Sequence, residues 1–352
     1  MSEIVVFSGS AHPELAAEVC QILGTTLGAT HTVRFSNDCL QVQLRENCRQ
    51  RDVYVIQPLT PPVQEHLVEL LLMLDAARGA SASQITAVIP HYSYARSDKK
   101  DAPRISIGGR LVADLISTAG ADRVLTMTLH APQVHGFFSV PVDHLTAIAE
   151  LAEHFRGRDL SNTVVVSPDL GNAKPASQLA RILDVPVAAG SKQRLADDRV
   201  VIDAIVGDVQ GKDVIILDDE IATGGSILEL LARLREHDVR KISLAVTHGL
   251  FTGPAIERLA AQPDLDEIIT TNTVPLAPHK RLPNMHTRSV APLFAEAISR
   301  IHHGESVSSL FSPVSTHGAA LEDLRRSSPA ATLADEESTA LRDVDPDAVA
   351  VR

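Results

Sequence analysis

The chain has 352 residues, 44% of them apolar, and a formal net charge of −12 at pH 7 with histidine neutral. That length suits two domains, and the apolar share can bury two ordinary cores. The acidic balance excludes a general affinity for nucleic acid or for an anionic membrane, and with no Trp and 3% aromatics there is little to stack bases on.

Short β-rich runs alternate with helical patterns along the chain. The strands expected are Ile4–Phe7, Val53–Ile56, Ile85–Ile89, Val124–Thr128, Val164–Ser167, Val214–Leu217, Ile242–Thr247 and Glu267–Thr271. Several are nearly continuous Val, Ile and Leu, as parallel strands buried on both faces require. Between them the spacing predicts helices such as Val63–Ala77, Gly108–Ser117, Ala176–Leu183 and Ile227–His237. This alternation predicts an α/β fold with doubly wound parallel sheets. A weak internal repeat sets DRVLTMTLH (122–130) against RKISLAVTH (240–248), and 84–98 against 212–226. Together with the length it suggests two tandem copies of one unit, 1–147 and 148–313, with the last segment packing back on the first. From residue 314 to 352 the chain is rich in Ala, Ser, Asp and Glu and has no aromatic residue, which reads as a disordered acidic C-terminal tail.

The first residues, MSEIVVFSGS, lack a basic region and pass straight into a strand pattern, so a secretory signal is not expected there. Cys20, Cys39 and Cys48 cannot all pair and form no CxxC or CxxxC cluster. They read as reduced thiols of a cytosolic protein without a cysteine zinc site. Apolar runs such as Leu70–Leu74 are too short to cross a bilayer.

The segment richest in chemistry is VIILDDEIATGGSI, Val214–Ile227. A buried strand ends in Asp218-Asp219, and a short loop then carries Thr223, Gly224, Gly225 and Ser226 into a helix. Glycines admit a positive φ and close backbone approach. Hydroxyls, loop N–H groups and the helix N-terminus make a cup for a phosphate. Two carboxylates at the strand end can accept hydrogen bonds from sugar hydroxyls, so the pattern suits a phosphorylated sugar. Neither GxxxxGK nor GxGxxG occurs, so no Walker-type ATPase or dinucleotide fold is indicated.

This segment resembles the PRPP-binding loop of type I phosphoribosyltransferases and of ribose-phosphate pyrophosphokinases (PRPP synthetases). The rest of the chain is similar to the second family: FSGSAHPELA, HYSYARSDKKD, TLHAPQVHGFF, VSPDLG, THGLFTGPAIERL and GESVSSLFS follow in its order, over residues 1–313. The resemblance implies two type I phosphoribosyltransferase-like domains, a nucleotide half and a ribose-5-phosphate half. It implies Mg-ATP and ribose-5-phosphate as substrates and transfer of a pyrophosphoryl group. By the same resemblance Lys192 and Arg194 match the catalytic Lys-x-Arg pair. Phe35, Arg96, Ser97 and Asp98 match ATP contacts, and His130 and Asp169 match positions associated with Mg²⁺. Arg49, Ser81, Arg104, Ser306 and Ser308 match the allosteric anion site of a ring-like homo-oligomer, built of six chains or of dimers, answering to phosphate and ADP.

Several positions depart from the family pattern. Ala222 replaces the third acidic residue of the loop, and Thr128 the Asp before Leu129-His130. Ser139 follows the paired phenylalanines where Asp is usual, and Asn37-Asp38-Cys39 lacks an acidic residue that faces the nucleotide. Ser97 stands for Gln and Asn47 for Ser. These changes remove carboxylates and polar contacts, mostly from the nucleotide–metal half. They therefore keep a second reading open, a PRPP-synthetase-associated subunit that regulates active ones. A plain phosphoribosyltransferase, with one such domain, fits the first 140 or so residues poorly.

Overall fold

Two parallel sheets, each flanked by helices on both faces, account for the alternation in the sequence. The structure is a computed structural model and describes residues 3–196 and 199–311, the side chains of 192–203 excepted. The acidic tail after residue 313 lies outside the described residues.

The first half runs β1 (Ile4–Ser8), α1 (Pro13–Leu23), β2 (Leu27–Gly28), a hairpin of β3 (Thr30–Arg34) and β4 (Leu40–Leu44), β5 (Asp52–Ile56), α2 (Val63–Gly79), β6 (Gln84–Ile89), α3 (Gly108–Ala119), β7 (Arg123–Met127) and β8 (Val142–Leu145). Its sheet has the order β2-β1-β5-β6-β7-β8, parallel throughout. The second half runs α4 (Ile148–Glu153), β9 (Thr163–Ser167), α5 (Ala173–Leu183), β10 (Val187–Ala196), β11 (Arg199–Val206), β12 (Asp213–Ile221), α6 (Gly225–Arg235), β13 (Lys241–Gly249), α7 (Ala255–Ala260), β14 (Leu265–Thr271), β15 (Met285–Arg288) and α8 (Ala291–His303). Its order is β11-β10-β9-β12-β13-β14-β15, parallel except for the β10–β11 hairpin at the edge.

Burial explains the runs of branched residues. Val53, Val55, Val164, Val166, Ile216 and Leu244 are fully covered, because apolar side chains on both sheet faces meet helices. In the first half, Leu70 and Leu74 of α2 and Ile116 of α3 cover one face. Leu15 and Val19 of α1 cover the other, joined there by Leu293, Phe294 and Ile298 of α8. The last helix of the second half thus completes the core of the first. In the second half α6 and α7 cover one face and α4 and α5 the other.

The strand orders correct the register of the internal repeat. β2-β1-β5-β6-β7-β8 matches β10-β9-β12-β13-β14-β15 strand for strand, so β13 corresponds to β6, not to β7 as the sequence similarity suggests. Every central strand reads as a buried aliphatic run, so the similarity slides by one βα unit at little cost. The register pairs Asp52 with Gln84 and Asp213 with Lys241. Counting on from these, His91 falls at the position of His248. The two rings meet edge to face, 4.8 Å between centroids, where the halves join.

His144 and His248 set the turn leaving β7. Thr128 has φ 42, a left-handed conformation that a β-branched residue rarely adopts. The Leu129 N–H donates to His144 Nε2 (2.8 Å), and His248 Nε2 donates to the Met127 and Thr128 carbonyls (3.2 and 3.1 Å). Burial pushes both imidazoles down to about 4, so both rings are neutral at pH 7. A histidine with a lowered folded pKa contributes its stability fully above about 6.5 and loses it as pH falls toward 4, on the order of 3 kcal/mol for each ring. The unfolding midpoint is therefore expected to drop between pH 6.5 and 4. His144→Gln, whose amide oxygen still accepts from Leu129, is expected to flatten that drop; thermal unfolding across the pH range checks this.

Candidate functional site

The carboxyl ends of β12 and β9 and the turns after β6 and β7 surround a cavity of about 410 Å³. This is where ligands collect in an open parallel sheet. One wall is the loop from Asp218 to Ser226. Gly224 has φ 77, which glycine adopts without strain, and α6 starts at Gly225, so its N-terminal N–H groups face the cavity together with Thr223 and Ser226. Hydroxyls and helix N-terminal N–H groups thus stand together at this wall, an arrangement that suits an anion.

Asp219 is buried at the floor. Its Oδ2 lies 2.7 Å from His130 Nδ1, and Asn172 Nδ2 donates to its Oδ1 and to Asp218 Oδ1, each at 2.9 Å. The Asn172 backbone N–H donates to Asp169 Oδ1 at 2.9 Å. Burial opposes ionisation of Asp219, but the hydrogen bonds from His130 and Asn172 outweigh it and hold the carboxyl well below the usual range. In turn Asp219 raises the His130 pKa. The result is a histidine–carboxylate pair that crosses from one half of the chain to the other.

A second crossing was not anticipated from the sequence. Glu220 Oε2 lies 3.2 Å from His91 Nε2, and its Oε1 lies 3.2 Å from Arg96 Nε. Glu220 is itself 9% exposed, and both it and Arg96 line the cavity. Burial opposes its charge, but His91 and Arg96 lower its pKa on balance. A carboxylate missing at Ala222 is thus present two positions earlier, directed at the same cavity. Asn172 also went unanticipated; its signal was its place directly after VSPDLG.

The predicted residues separate into groups. Arg96, Asp98, His130, Asp169, Asp218, Asp219, Thr223, Gly224, Gly225 and Ser226 all line the cavity. Ser97 does not: its hydroxyl accepts from Gly108 N–H at 2.9 Å and so caps α3. Phe35 does not either; it is exposed in the turn of the β3–β4 hairpin. Lys192 and Arg194 lie on β10 in backbone register with Ile202 and Val200, and their side chains fall outside the described residues. Arg49, Ser81, Arg104, Ser306 and Ser308 are all exposed. Arg49 and Ser81 are close, since the Gln50 N–H donates to Ser81 O at 2.9 Å. Ser306 and Ser308 follow α8, and Arg104 lies in the loop before α3. All three cysteines are free thiols, and no helix among the described residues is long and apolar enough to cross a membrane.

Comparison with known proteins agrees with this geometry. Residues 4–120 match the model of the N-terminal domain of ribose phosphate pyrophosphokinase, and residues 200–312 that of the phosphoribosyl synthetase-associated domain. A putative ribose-phosphate pyrophosphokinase of Streptomyces coelicolor is 66% identical over 311 residues, covering 88% of this chain and 98% of the relative. The chain belongs to the ribose-phosphate pyrophosphokinase family. A ribose-phosphate pyrophosphokinase of Deinococcus radiodurans is 52% identical over 316 residues, with the same coverage. Among solved structures, the phosphoribosylpyrophosphate synthetase of Mycobacterium smegmatis matches with a TM-score of 0.80 and 40% identity, over 86% of this chain and all of that one. The pyrophosphokinase relatives span both halves, so the two sheets and the cavity between them belong to one family unit.

The Glu220 bridge carries its own expectation. Glu220→Ala leaves His91 and Arg96 without their shared carboxylate and is expected to cost about 2–4 kcal/mol. Glu220→Gln keeps one acceptor and is expected to cost less. Denaturant unfolding of both variants measures the difference; equal and negligible losses would show that the bridge does not hold the halves together.

Proposed function

We propose that this chain transfers the pyrophosphoryl group of ATP to the 1-hydroxyl of ribose-5-phosphate, giving PRPP and AMP. The observation carrying this reading is the anion cup at Thr223–Ser226 set beside paired carboxylates, in a chain whose full-length relatives are pyrophosphokinases. The 5-phosphate sits on the cup and the N-terminus of α6. The ribose hydroxyls donate to Asp218 and Asp219, which Asn172 holds at a fixed spacing. The anomeric oxygen then forms a bond to the β-phosphorus of ATP as the bond from that phosphorus to the α-phosphate oxygen breaks, and AMP leaves. Such a transfer rests on positioning and on neutralising charge.

The charge of the cavity bears on the metal. Asp98, Asp101, Asp169, Asp218, Asp219 and Glu220 face it, against Arg96, Lys99 and His130. Triphosphate oxygens entering so acidic a space need a divalent cation, and the oxygen donors present fit Mg²⁺. Asp169 would hold the ion, which would supply neutralisation of the phosphate charge. His130, whose pKa Asp219 raises, suits a phosphate oxygen better than the metal. Arg96 is held through Nε by Glu220, which leaves its terminal nitrogens for the nucleotide. Lys192 and Arg194 supply positive charge to the transferred group.

Residues 1–147 form the nucleotide half and 148–313 the ribose-5-phosphate half in this reading. Phe35, exposed on its hairpin, reaches a nucleotide only in a neighbouring copy, which accords with a homo-oligomer of six chains or of dimers. Arg49, Ser81, Arg104, Ser306 and Ser308 then bind phosphate or ADP across subunits, in the cytoplasm. The regulatory-subunit reading draws no support from the relatives, which carry the enzyme's name.

A coupled assay for AMP from Mg-ATP and ribose-5-phosphate tests the activity directly; no AMP from folded protein would remove it. Lys192→Ala is expected to lower kcat by about 100-fold or more while the KM for ribose-5-phosphate changes only a few-fold. For the effector site, scattering mass and activity across a phosphate titration are expected to rise together. A monomer whose activity ignores phosphate would remove both the interface and the regulation.

A further inference from the structure

At the end of the second sheet opposite the cavity, three metal-ligating side chains converge from separate elements. His154 caps the C-terminus of α4, Glu267 lies near the start of β14, and His286 near the start of β15. Glu267 Oε2 is 2.8 Å from His154 Nε2 and 3.8 Å from His286 Nε2, and one donor atom from each residue lies within 4.8 Å of the others. The two imidazoles are 4.9 Å apart between centroids. A tetrahedral zinc ion with bonds of about 2.0–2.1 Å holds its donors roughly 3.4 Å apart, a spacing that the two measured distances bracket.

The hydrogen bonding at this cluster is oversubscribed. Arg158 Nη1 donates to Glu267 Oε1 at 2.6 Å, and Ser243 Oγ donates to the same oxygen at 2.8 Å. Arg158 Nη2 is 2.7 Å from His154 Nε2, the same nitrogen that lies 2.8 Å from Glu267 Oε2. One ring nitrogen cannot accept from a guanidinium and donate to a carboxylate at once. Arg158 Nη2 also lies 3.3 Å from Glu267 Oε2, so the guanidinium bridges the ring nitrogen and the carboxylate at the place where a metal ion would sit.

We propose that His154, Glu267 and His286 form a divalent transition-metal site of the zinc class, for which the Arg158 guanidinium is the competitor. Two imidazoles and one carboxylate are a zinc donor set; magnesium, which prefers oxygen throughout, is poorly served. Arg158 is 42% exposed, so its side chain can swing into solvent when an ion takes the carboxylate. A fourth position is left to water. The ion would tie α4 to the β14–β15 edge, a structural role remote from the phosphate cup.

The test is Co²⁺ titration of metal-stripped, full-length protein, read by the intense visible bands of four-coordinate cobalt. The parent is expected to develop them. Arg158→Gln, lacking the competing cation, is expected to bind roughly tenfold more tightly, and His286→Ala roughly tenfold or more weakly. His286 is half exposed, so its loss leaves the core intact; His286→Gln serves as a second variant. Absence of the bands in the parent, or bands unchanged in both His286 variants, overturns the proposal. Because the readout is spectroscopic, it stands or falls apart from the pyrophosphokinase activity.

Discussion

A histidine from one half of the chain and a carboxylate from the other, 2.7 Å apart, hold the floor of the cavity together. Asp219 is buried, and a buried carboxylate without a partner takes up a proton. The hydrogen bonds from His130 and Asn172 hold its pKa down instead, and Asp219 in turn raises that of His130, whose ring is exposed to the cavity. That arrangement fixes the spacing between the turn after β7 and the end of β12. The turn after β6 and the end of β9 complete the lining around those two segments. The Glu220 bridge to His91 and Arg96 repeats the same device one residue along the strand.

The symmetric origin of the two halves is visible at this junction. His91, just past the end of β6, holds the place that His248 holds near the end of β13, and their rings touch. Their roles have nevertheless diverged. His248 is neutral, its Nδ1 2.8 Å from Thr273 Oγ1, and it shapes the Thr128 turn. His91 spans Leu59 O and the Glu220 carboxylate. Two copies of one unit thus supply a structural histidine and a bridging one from a single position.

Much of this was legible in the sequence because buried parallel strands have so narrow a vocabulary. Val53–Ile56 and Val164–Ser167 could hardly be anything else. Strands half exposed at the edges escaped for the complementary reason. In β3 and β4, THTVR and LQVQL mix polar and apolar residues, and β2 has only two residues. The uniformity that exposes central strands also blurred the repeat, since one aliphatic run aligns with the next. At the site, residue types at a strand end located the loop that lines the cavity, but partner choice was hidden. Nothing in the sequence says that Ser97 turns to cap α3, since that depends on how the loop between them folds, or that Glu220 reaches two residues from the other half, since that contact joins positions far apart along the chain.

The return of α8 to the first sheet reaches beyond the finished fold. Phe294 and Ile298 sit against Leu15 and Val19 of α1 in one buried cluster, so the earliest strands meet an essential neighbour only when nearly all of the chain has been synthesised. During translation the emerging amino-terminal half carries an uncovered apolar flank through the making of the whole second half. Such a flank is a ready target for holding chaperones and for the same flank on a neighbouring nascent chain. Closing it joins segments at opposite ends of the sequence, a slow step for a chain molecule. The amino-terminal half therefore matures last, although it is made first.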